Sequence, residues 1–341
     1  MKKEYAQIFV TNLPSFYKLR LYSQIAKFQK ILVVFTHTAE ATRNADFYKG
    51  EKNFDYVFLN GKNTFFKAFE LLKLLKSVNY KMLVLGGWDS PLCWLALMLC
   101  PKKKNAVVVE SSHFESKTNG VKGFIKRIFV FRCSTAYVSG INQSRLLQAL
   151  HFKGKIIETK GVGLYNMVPQ PPYSPKKEVK NFVYVGRLIA CKNVGMLLEA
   201  FKKFPNLNLT VVGFGKDEKS LKAKAPPNVV FTGAIDNSKL PEIYKKNDVF
   251  VLPSLAEPWG LVVEEALNNG IACITSSVVG CNDSVLRDGE NGVVFESGNL
   301  QALEDAIRKI CDIDFYNSLI LNISKQNPKE IEDWQINSYK L

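Results

Sequence analysis

Residues 182–192 read FVYVGRLIACK, a pattern of strand, tight turn and helix start from which the architecture of the chain can be argued. Four β-prone apolar residues predict a buried strand, and Gly186 allows the turn that follows it. Similar apolar runs alternate with helical patterns along nearly the whole sequence, which predicts βα units and largely parallel sheets. The predicted strands are Ile8–Thr11, Ile31–Thr36, Tyr56–Leu59, Met82–Leu85, Ala106–Glu110, Ala136–Val138, Phe182–Val185, Leu209–Val212, Val229–Thr232, Val249–Leu252, Ala272–Thr275 and Val293–Phe295.

Helical patterns follow most of these strands in the first half and every one in the second. The clearest is Thr64–Ser77, for which we expect one apolar face against the sheet. That face is predicted to consist of Phe65, Phe69, Leu72 and Leu75.

The length of 341 residues suits two domains, and a proline-rich segment marks the boundary between them. Four prolines lie within residues 168–175, which predicts an extended, semi-rigid linker. We therefore expect an N-terminal domain over 1–167, a linker over 168–177, a C-terminal domain over 178–325 and a tail over 326–341 that packs back on the first domain. The expected fold class is α/β, with two Rossmann-like doubly wound domains facing across a cleft and ligands bound beyond the carboxyl ends of the strands.

The positive charge of the chain is one-sided. Residues 1–170 contain 26 Lys+Arg and 10 Asp+Glu, a net +16, whereas residues 171–341 contain 20 and 21, a net −1. An excess confined to one half indicates an anionic partner, and nucleic acid, an acidic membrane or a phosphate-bearing substrate each fit. Gly120–Arg132 combines Lys122, Lys126 and Arg127 with apolar residues, as an interfacial helix does, although a core helix with a solvated basic face has the same composition. Lys102–Lys104 adds to the same basic half.

Composition also bounds the compartment and the cofactors. Seven cysteines without a Cys-x-x-Cys pair are typical of reduced thiols in a cytoplasm, and three scattered histidines supply no zinc ligand set. Polar residues interrupt the first fifteen positions where a signal peptide would be apolar. The longest apolar stretch, Pro91–Cys100, is half of the roughly 20 residues that a spanning helix needs. We expect a cytoplasmic protein, peripheral on the inner face of the membrane, with neither metal nor cofactor.

The turn after Val185 carries the first candidate site residues. Arg187 and Lys192 place two cations beside the start of the next helix, where free N–H groups and the helix dipole already favour phosphate. A guanidinium fork and a compact ammonium are complementary ways to hold a diphosphate. A solvated basic turn would have the same sequence, so this loop alone leaves both interpretations open.

A second turn, Val212–Gly215, contains Gly213 and Gly215 and leaves room for a ligand near the backbone. It lacks the third glycine of a dinucleotide fingerprint, and the first strand of the chain runs into TNLPS with no glycine at all. A nicotinamide-binding fingerprint is therefore absent from both expected places.

The segment Pro253–Leu267 joins a strand to a helix and holds two spaced acids. Glu257 lies in the loop and Glu265 about one and a half turns into the helix, so their carboxylates could accept bonds from sugar hydroxyls. Gly260 would bring backbone N–H groups close to a ligand. Glu264 is expected to do no more than stabilise the start of the helix.

Together these segments resemble the family-4 glycosyltransferases of the GT-B fold. The spacing of Glu257 and Glu265 is that of the family's Glu-x7-Glu motif, and GRLIACK is similar to its Gly-Arg-Leu-x3-Lys loop. VVGFGKDEKSL, VVFTGAI and ITSSVVGCNDSVLRDGENGVVFESGN are similar to its other elements, so the resemblance covers roughly residues 181–303 in order.

The resemblance implies a retaining, metal-independent transfer of a hexose-type sugar from a nucleotide sugar, with UDP favoured. The acceptor would be a glycan or lipid-linked glycan of cell-surface polysaccharide synthesis, and an anionic membrane surface is an expected partner. By this resemblance Arg187 and Lys192 hold the diphosphate, Glu265 the ribose hydroxyls, and Glu257 the transferred sugar. The implied donor-binding set also includes Gly186, Gly213, Gly215, Trp259, Gly260 and Leu261. His113, after the strand AVVVE, would approach the reacting sugar, although a structural histidine fits the same position.

Two other interpretations remain open at this point. One is a different enzyme on the same fold, such as a nucleotide-sugar epimerase or a phosphorylase. The other is a basic nucleic-acid binder, which we rank lower because the basic residues are scattered and lack an aromatic RNA-binding signature.

Overall fold

The computed structural model describes residues 2–39, 45–165 and 167–341. The chain divides into two compact units, one formed by residues 1–165 with 331–341 and the other by residues 166–330. Each unit contains a single parallel sheet whose strands alternate with helices. The predicted α/β class, with two Rossmann-like doubly wound units, is therefore confirmed.

The first sheet has the order β3-β2-β1-β4-β5-β6-β7, with β4 in the middle and β1 beside it. Its strands are β1 (Glu4–Thr11), β2 (Ile31–Phe35), β3 (Asp55–Phe58), β4 (Asn79–Leu85), β5 (Asn105–Val109), β6 (Thr135–Val138) and β7 (Lys155–Glu158). The helices of this unit are α1 (Phe16–Ile25), α2 (Thr64–Ser77), α3 (Pro91–Leu99), α4 (Gly120–Phe131) and α5 (Ile141–Ala149).

Both faces of the first sheet are covered, as the pattern of β1 shows. Ile8 and Val10 pack into one core with residues of α2, α3, α4 and α5. Phe9, between them, packs into a second core with residues of α1. Successive side chains of a strand point to opposite faces, so a strand buried on both sides is apolar throughout.

The second sheet has the order β10-β9-β8-β11-β12-β13, with β8 beside its middle. Its strands are β8 (Asn181–Val185), β9 (Asn208–Val212), β10 (Val229–Gly233), β11 (Val249–Leu252), β12 (Ala272–Ser276) and β13 (Gly292–Phe295). The helices are α6 (Val194–Lys202), α7 (Glu218–Lys224), α8 (Leu240–Lys245), α9 (Leu261–Asn268), α10 (Leu300–Ile310) and α11 (Ile313–Ser324).

The last helix, α12 (Pro328–Ser338), leads into the final residues of the first unit. Tyr339 packs into the core on the α1 side of the first sheet, where its ring stacks on Tyr137 with centroids 4.4 Å apart. The indole of Trp334 donates to the carbonyl of Glu158 at 2.8 Å.

The proline-rich segment forms neither helix nor strand, and each of its ends is bonded to other residues of the second unit, of which it is a part. The side chain of Asn268 exchanges hydrogen bonds with the backbone of Val168, at 3.0 and 2.9 Å. The ammonium of Lys176 pairs with the carboxylate of Asp248 at 2.7 Å.

All twelve predicted strands are present, but three details of the prediction were wrong. The strand β7 was missed because Lys155–Glu158 is short and half-exposed, so its apolar pattern is weak. A helix was expected after β12, whereas residues 277–291 form a series of turns. The outward face of α2 carries two phenylalanines expected inside, since Phe65 is 76% and Phe69 64% exposed while Leu71 and Leu75 are buried. This helix has two apolar stripes, and the periodicity alone does not say which of them meets the sheet.

No helix within the described ranges has both the length and the apolar character needed to cross a bilayer.

Candidate active site

The candidate site lies at the carboxyl edge of the second sheet, next to β8. This strand pairs with β9 on one side and with β11 on the other. The strand that follows β8 along the chain is β9, on one side of β8, whereas the strand that follows β11 is β12, on the far side of β11. The connections that leave β8 and β11 therefore run in opposite directions. Doubly wound sheets bind ligands in the crevice that such a switch of direction creates. The loop after β8 carries Arg187 and Lys192, and the loop after β11 carries Glu257.

The loop after β8 is held in place by Tyr184, the penultimate residue of the strand. Its hydroxyl donates to the carbonyl of Arg187 at 2.9 Å, and burial raises the pKa of this phenol well above its usual value. The chain then enters α6 through Asn193, which has a φ of 54°. The guanidinium of half-buried Arg187 has no hydrogen-bond or ion-pair partner among the residues that the structure describes. Its five donors are therefore available to an anion.

Lys192 and Glu257 form an ion pair across the crevice. Both side chains are nearly buried, at 12% and 13% exposure. The backbone supports the pair, because the N–H of Leu255 donates to the carbonyl of Cys191 at 2.8 Å. An ammonium has three donors, so the bond to Glu257 fixes its position and leaves two donors for a phosphate. Lys192 and Glu257, which were predicted from separate motifs, are therefore in direct contact.

Two of the predicted donor-binding glycines, Gly213 and Gly215, allow the loop after β9 to pack against the loop after β8. A Cβ on Gly213, whose φ is 136°, would lie 1.9 Å from the carbonyl oxygen of Gly186. A Cβ on Gly215 would lie 2.2 Å from the carbonyl oxygen of Leu188, and the N–H of Leu188 donates to Phe214 at 2.8 Å. The space that these glycines provide is filled by the backbone of the Arg187 loop, so their shown contribution is to fix that loop.

The loop after β11 is closed by Trp259, which is 3% exposed. Its backbone carbonyl accepts from Cys281 and that of Glu257 accepts from Gly280, each at 2.9 Å. Gly260 then begins α9 with a φ of 99°, and Leu261 is the first helical residue. The turns after β12 thus hold the loop after β11 in place, which accounts for the irregular segment where a helix was expected.

Glu264 is a buried structural acid, whereas the sequence suggested that it only stabilises the start of the helix. It is 3% exposed, and the indole N–H of Trp259 donates to its carboxyl group. Burial raises its pKa to about 8, against the opposing effect of the indole bond. The prediction failed because the residue's position near the start of α9 suggests charge complementarity, while its side chain actually closes the core beneath the loop.

Glu265 lies half-buried on α9. The phenol of Tyr244, itself buried, donates to one oxygen of its carboxyl group at 3.3 Å. Burial raises the pKa of Glu265 to about 7, although the bond from Tyr244 opposes this effect. A carboxylate has about four acceptor sites, so the group retains capacity for ligand hydroxyls. Nothing in the sequence around Tyr184 or Tyr244 had marked these supporting tyrosines.

His113 belongs to the first unit, in the loop after β5. Its Nδ1 and its backbone N–H both lie 3.3 Å from the carbonyl oxygen of Asn142. The same edge holds an ion pair that the sequence did not reveal, between Lys18 and Glu110 at 2.9 Å. Within the described part of the chain, no three His, Cys, Asp or Glu side chains are grouped as they would be to hold a metal ion.

Comparison with known proteins gives a consistent family for this site. Residues 170–326 match the family of glycosyl transferases group 1. The chain is 29% identical over 164 residues to the sulfoquinovosyl transferase SQD2 of Arabidopsis thaliana, an alignment covering 47% of this chain and 32% of that protein. It is 28% identical over 248 residues to an Escherichia coli UDP-Gal:alpha-D-GlcNAc-diphosphoundecaprenol alpha-1,3-galactosyltransferase, covering 64% of this chain and 62% of that one. The similarity thus spans less than two thirds of the length of either relative.

Among solved structures, the fold is similar to that of the apo lipopolysaccharide outer core galactosyltransferase WaaB. The TM-score is 0.74 over 98% of both chains, at 15% sequence identity. The matched region contains Arg187, Lys192, Glu257 and Glu265, so the candidate site lies within the part of the chain that matches the glycosyl transferases group 1, and the fold is GT-B.

Proposed function

We propose that the chain transfers a hexose-type sugar, with retention of configuration, from a UDP-sugar to a glycan or lipid-linked glycan acceptor in cell-surface polysaccharide synthesis. The observation that carries the proposal is the crevice beside β8. The loop after β8 supplies two cations there, Arg187 and Lys192, and the loop after β11 supplies Glu257, which pairs with Lys192. Glu265 follows on α9, the helix that this second loop enters. The Escherichia coli relative supports the choice of donor and acceptor, because its name specifies UDP-Gal and a diphosphoundecaprenol-linked sugar.

In the proposed reaction, the bond between the sugar and the diphosphate breaks and the diphosphate leaves with the electron pair. Arg187 and Lys192 stabilise the negative charge that develops on the leaving oxygen, so the protein's own cations supply this stabilisation and the proposal includes no metal. The incoming hydroxyl forms the new bond and loses its proton to the departing phosphate. Glu257 and the backbone of residues 259–261 hold the sugar, while Glu265 accepts from the ribose hydroxyls.

The ion pair of Lys192 with Glu257 gives this arrangement a specific property. The lysine is predicted to contact phosphate and the glutamate to contact sugar, so the bond between them joins the two halves of the donor site. Movement of either side chain is then transmitted to the other, and the sugar is oriented relative to the phosphate it leaves. Positioning of this type contributes to catalysis through orientation as well as through charge.

Two parts of the proposal concern the first unit. His113 would approach the reacting sugar from the loop after β5. The unit as a whole would lie against an anionic membrane, since it contains the +16 half of the sequence. Helix α4 supports this, because Phe124, Ile125 and Ile128 are exposed on it beside Lys122.

The first experiment is thermal unfolding with UDP-glucose, UDP-galactose, UDP-N-acetylglucosamine, GDP-mannose and ADP-glucose. A donor present at one hundred times its Kd stabilises the fold by about 2.7 kcal/mol, a readily measured rise in melting temperature. We expect a rise with at least one UDP-sugar and a smaller one or none with the other nucleotides. Transfer with that donor, followed by NMR of the anomeric proton of the product, then tests retention. The absence of any shift with all five donors contradicts the proposal, and conversion of the sugar without an acceptor points to an epimerase.

A further inference from the structure

A buried acid packs against the loop that joins β11 to α9. Glu264 is the fourth residue of this helix and is 3% exposed. Its neighbour Glu265, proposed to accept from the ribose, lies about 100° farther around the helix. The proposed reaction gives Glu264 no contact with the donor. Burial of a polar group costs free energy unless the group gains a partner, so the partner of this acid indicates what it does.

The partner that Glu264 gains is the loop itself. The indole N–H of Trp259 donates to one oxygen of the carboxyl group, and Trp259 is as deeply buried as the acid. The backbone carbonyl of Trp259 accepts from the N–H of Cys281 at 2.9 Å. Trp259 is therefore fixed twice, to α9 by its side chain and to the turns after β12 by its backbone.

The backbone that enters α9 is also closely packed. Gly260 has a φ of 99°, and a Cβ at this position would lie 3.0 Å from a side-chain carbon of Val279 and 3.5 Å from the sulfur of Cys281. The turns after β12 thus press against the side of the loop that faces the core. Residues 257–261, which are proposed to hold the transferred sugar, depend on these contacts for their position.

Glu264 acts on the loop as a hydrogen-bond acceptor more than as a charge. Burial raises its pKa to about 8, and the nearby Glu265 adds to this effect, so the carboxyl group is mostly neutral at pH 7. Its second oxygen has no hydrogen-bond partner within the part of the chain that the structure describes, so an ionised group would be poorly satisfied. An apolar residue could fill the same volume but could not accept from an indole. The acid therefore gives the contact a fixed direction.

We propose that Glu264, acting through Trp259, is a positioning residue for the transferred sugar. The contact orients the backbone of residues 257–261 toward the sugar, while the carboxyl group itself touches no part of the donor. The nucleotide is held by other groups, namely Arg187, Lys192 and Glu265, so loss of the contact should weaken sugar binding selectively. The inference rests on the proposed function and adds to it a residue that separates sugar binding from nucleotide binding.

Titration calorimetry of the full chain at pH 7 with UDP, UDP-glucose and UDP-galactose tests this separation. The ratio of the Kd for UDP to the Kd for a UDP-sugar measures what the sugar contributes, because uridine and diphosphate are common to both ligands. Trp259→Phe keeps an aromatic ring and removes the N–H, and Glu264→Leu keeps most of the volume and removes the acceptor. For the UDP-sugar that the wild type binds more tightly, we expect each variant to lower this ratio about 10-fold, the scale of one hydrogen bond. The Kd for UDP should change less than about twofold.

Two further variants distinguish the hydrogen bond from other effects of substitution. Glu264→Gln retains an acceptor of similar shape and should retain the wild-type ratio within about twofold. The double variant Trp259→Phe/Glu264→Leu should lose no more than either single variant, because both single changes break the same contact. A loss in the double variant equal to the product of the two single losses, about 100-fold, would mean that the residues act independently and would overturn the inference.

The matched control is Tyr316→Phe, which removes a hydrogen bond of another buried aromatic residue in the same unit. The hydroxyl of Tyr316 donates to the carbonyl of Asp248 at 2.9 Å, just before β11 and so at the amino edge of the sheet. The ratio should stay within about twofold of the wild type in this control, at a temperature well below the unfolding of every variant. A loss of the ratio in Tyr316→Phe as large as in Trp259→Phe would mean that general destabilisation is responsible, which would overturn the inference.

The same titrations distinguish failure of this inference from failure of the proposed function. Unchanged ratios in Trp259→Phe and Glu264→Leu, in a protein that binds a UDP-sugar, would make the contact purely structural and overturn the inference alone. A wild type that binds neither UDP-glucose nor UDP-galactose would contradict the proposed donor and overturn the inference with it.

Discussion

The two units use one topology for two different purposes. Each sheet reverses its winding direction beside a central strand, β1 in the first and β8 in the second, and each has a lysine–glutamate pair at its carboxyl edge. In the first unit the pair is Lys18 with Glu110, and in the second it is Lys192 with Glu257. The shared topology therefore explains why both ion pairs lie at the carboxyl edge of a sheet. The chemistry of each edge depends on the loops that it carries.

The loops differ in how firmly they are fixed. In the second unit, Gly213 lets one loop rest on the backbone of Gly186, so a side chain at that position would collide with a carbonyl oxygen. In the first unit, Gly87 follows β4 with a φ of 119° and has no atom within 4 Å of where a Cβ would lie. The comparison indicates a preorganised site in the second unit and a more open edge in the first, whose residues 1–165 and 331–341 contain 27 Lys+Arg and 12 Asp+Glu, a net +15 that suits an anionic partner.

The largest effect is expected from the cations of the second unit. Arg187→Ala or Lys192→Ala should lower the rate of sugar transfer about 10²–10³-fold, which is the scale for removal of one preorganised electrostatic stabiliser. Steady-state kinetics with the best UDP-sugar measure this loss. Lys246→Ala is the control, because it removes an exposed cation of the same unit outside the crevice. Wild-type turnover in either crevice variant would remove the assignment of these residues to the diphosphate.

The next effect contrasts the glycines of the two units. Gly213→Ala combines a backbone conformation unfavourable to alanine with a contact of 1.9 Å to Gly186, and should destabilise the protein by about 3 kcal/mol or more. Gly87→Ala carries only the conformational cost, about 1 kcal/mol. Calorimetric unfolding of both variants measures the difference. Similar stabilities would mean that the loop after β8 is not fixed as the structure indicates.

Much of this comparison was accessible from sequence, because apolar strands and strand-end turns follow from local chemistry. The FVYV and VFVL strands and the loops after them were placed correctly, so the residues of the crevice were named before their positions were known. What could not be predicted depends on distant parts of the chain. The support of Glu265 by Tyr244 and the pair of Lys18 with Glu110 join segments that no local pattern relates. The contact of Trp259 with Glu264 is local, but the loop that carries it is held by the turns after β12.

The basic half of the sequence shows the same division. Its excess of charge and the composition of residues 120–132 predicted an anionic partner, and Arg127 was named for that surface. The groove that Lys102, Arg132 and Lys153 line was not foreseen, because these residues come from three separate strand starts and meet only in the folded sheet.

A third prediction concerns Glu264, which is 3% exposed and bonded to the indole of Trp259. Glu264→Ala removes the acceptor of the Trp259 indole and leaves a space in the core, and should destabilise the protein by about 2 kcal/mol. Glu264→Gln keeps an acceptor of similar shape and should be close to wild type below about pH 4.5, where the wild-type carboxyl group is neutral in both the folded and the unfolded state, and more stable than wild type at neutral pH. Equal stability of the alanine variant and the wild type would contradict the structural role of this acid.

The same acid sets a dependence of stability on pH. Its folded pKa of about 8 lies above the ordinary value of 4.5, so the folded state retains a proton that the unfolded chain loses. Stability conferred by this group should be fully present below about pH 4.5 and should fall as pH rises toward 8. Glu264→Gln should remove the decline above pH 7 and make it about half as steep between pH 4.5 and 7, where Glu265, with a pKa of about 7, still contributes. Unfolding measured across this range in both proteins tests the sign and the window.

The smallest effect expected tests the division of labour between the units. Glu265→Ala removes a carboxylate proposed to accept from the ribose hydroxyls, and should weaken UDP-glucose binding about 10-fold, the lower end for hydrogen bonds to a charged group. His113→Ala should leave that affinity unchanged and lower only the rate of transfer, since its proposed contact is with the reacting sugar.

Because the pKa of Glu265 is about 7, ionisation of its carboxyl group strengthens it as an acceptor, and wild-type affinity should rise as pH increases through 7. Glu265→Gln should abolish this rise while it retains an acceptor of similar shape, which separates a role of the charge from a role of packing. Titration calorimetry of the three variants gives the affinities, and a loss of UDP-glucose binding in His113→Ala equal to that in Glu265→Ala would show that the nucleotide is not held by the second unit alone.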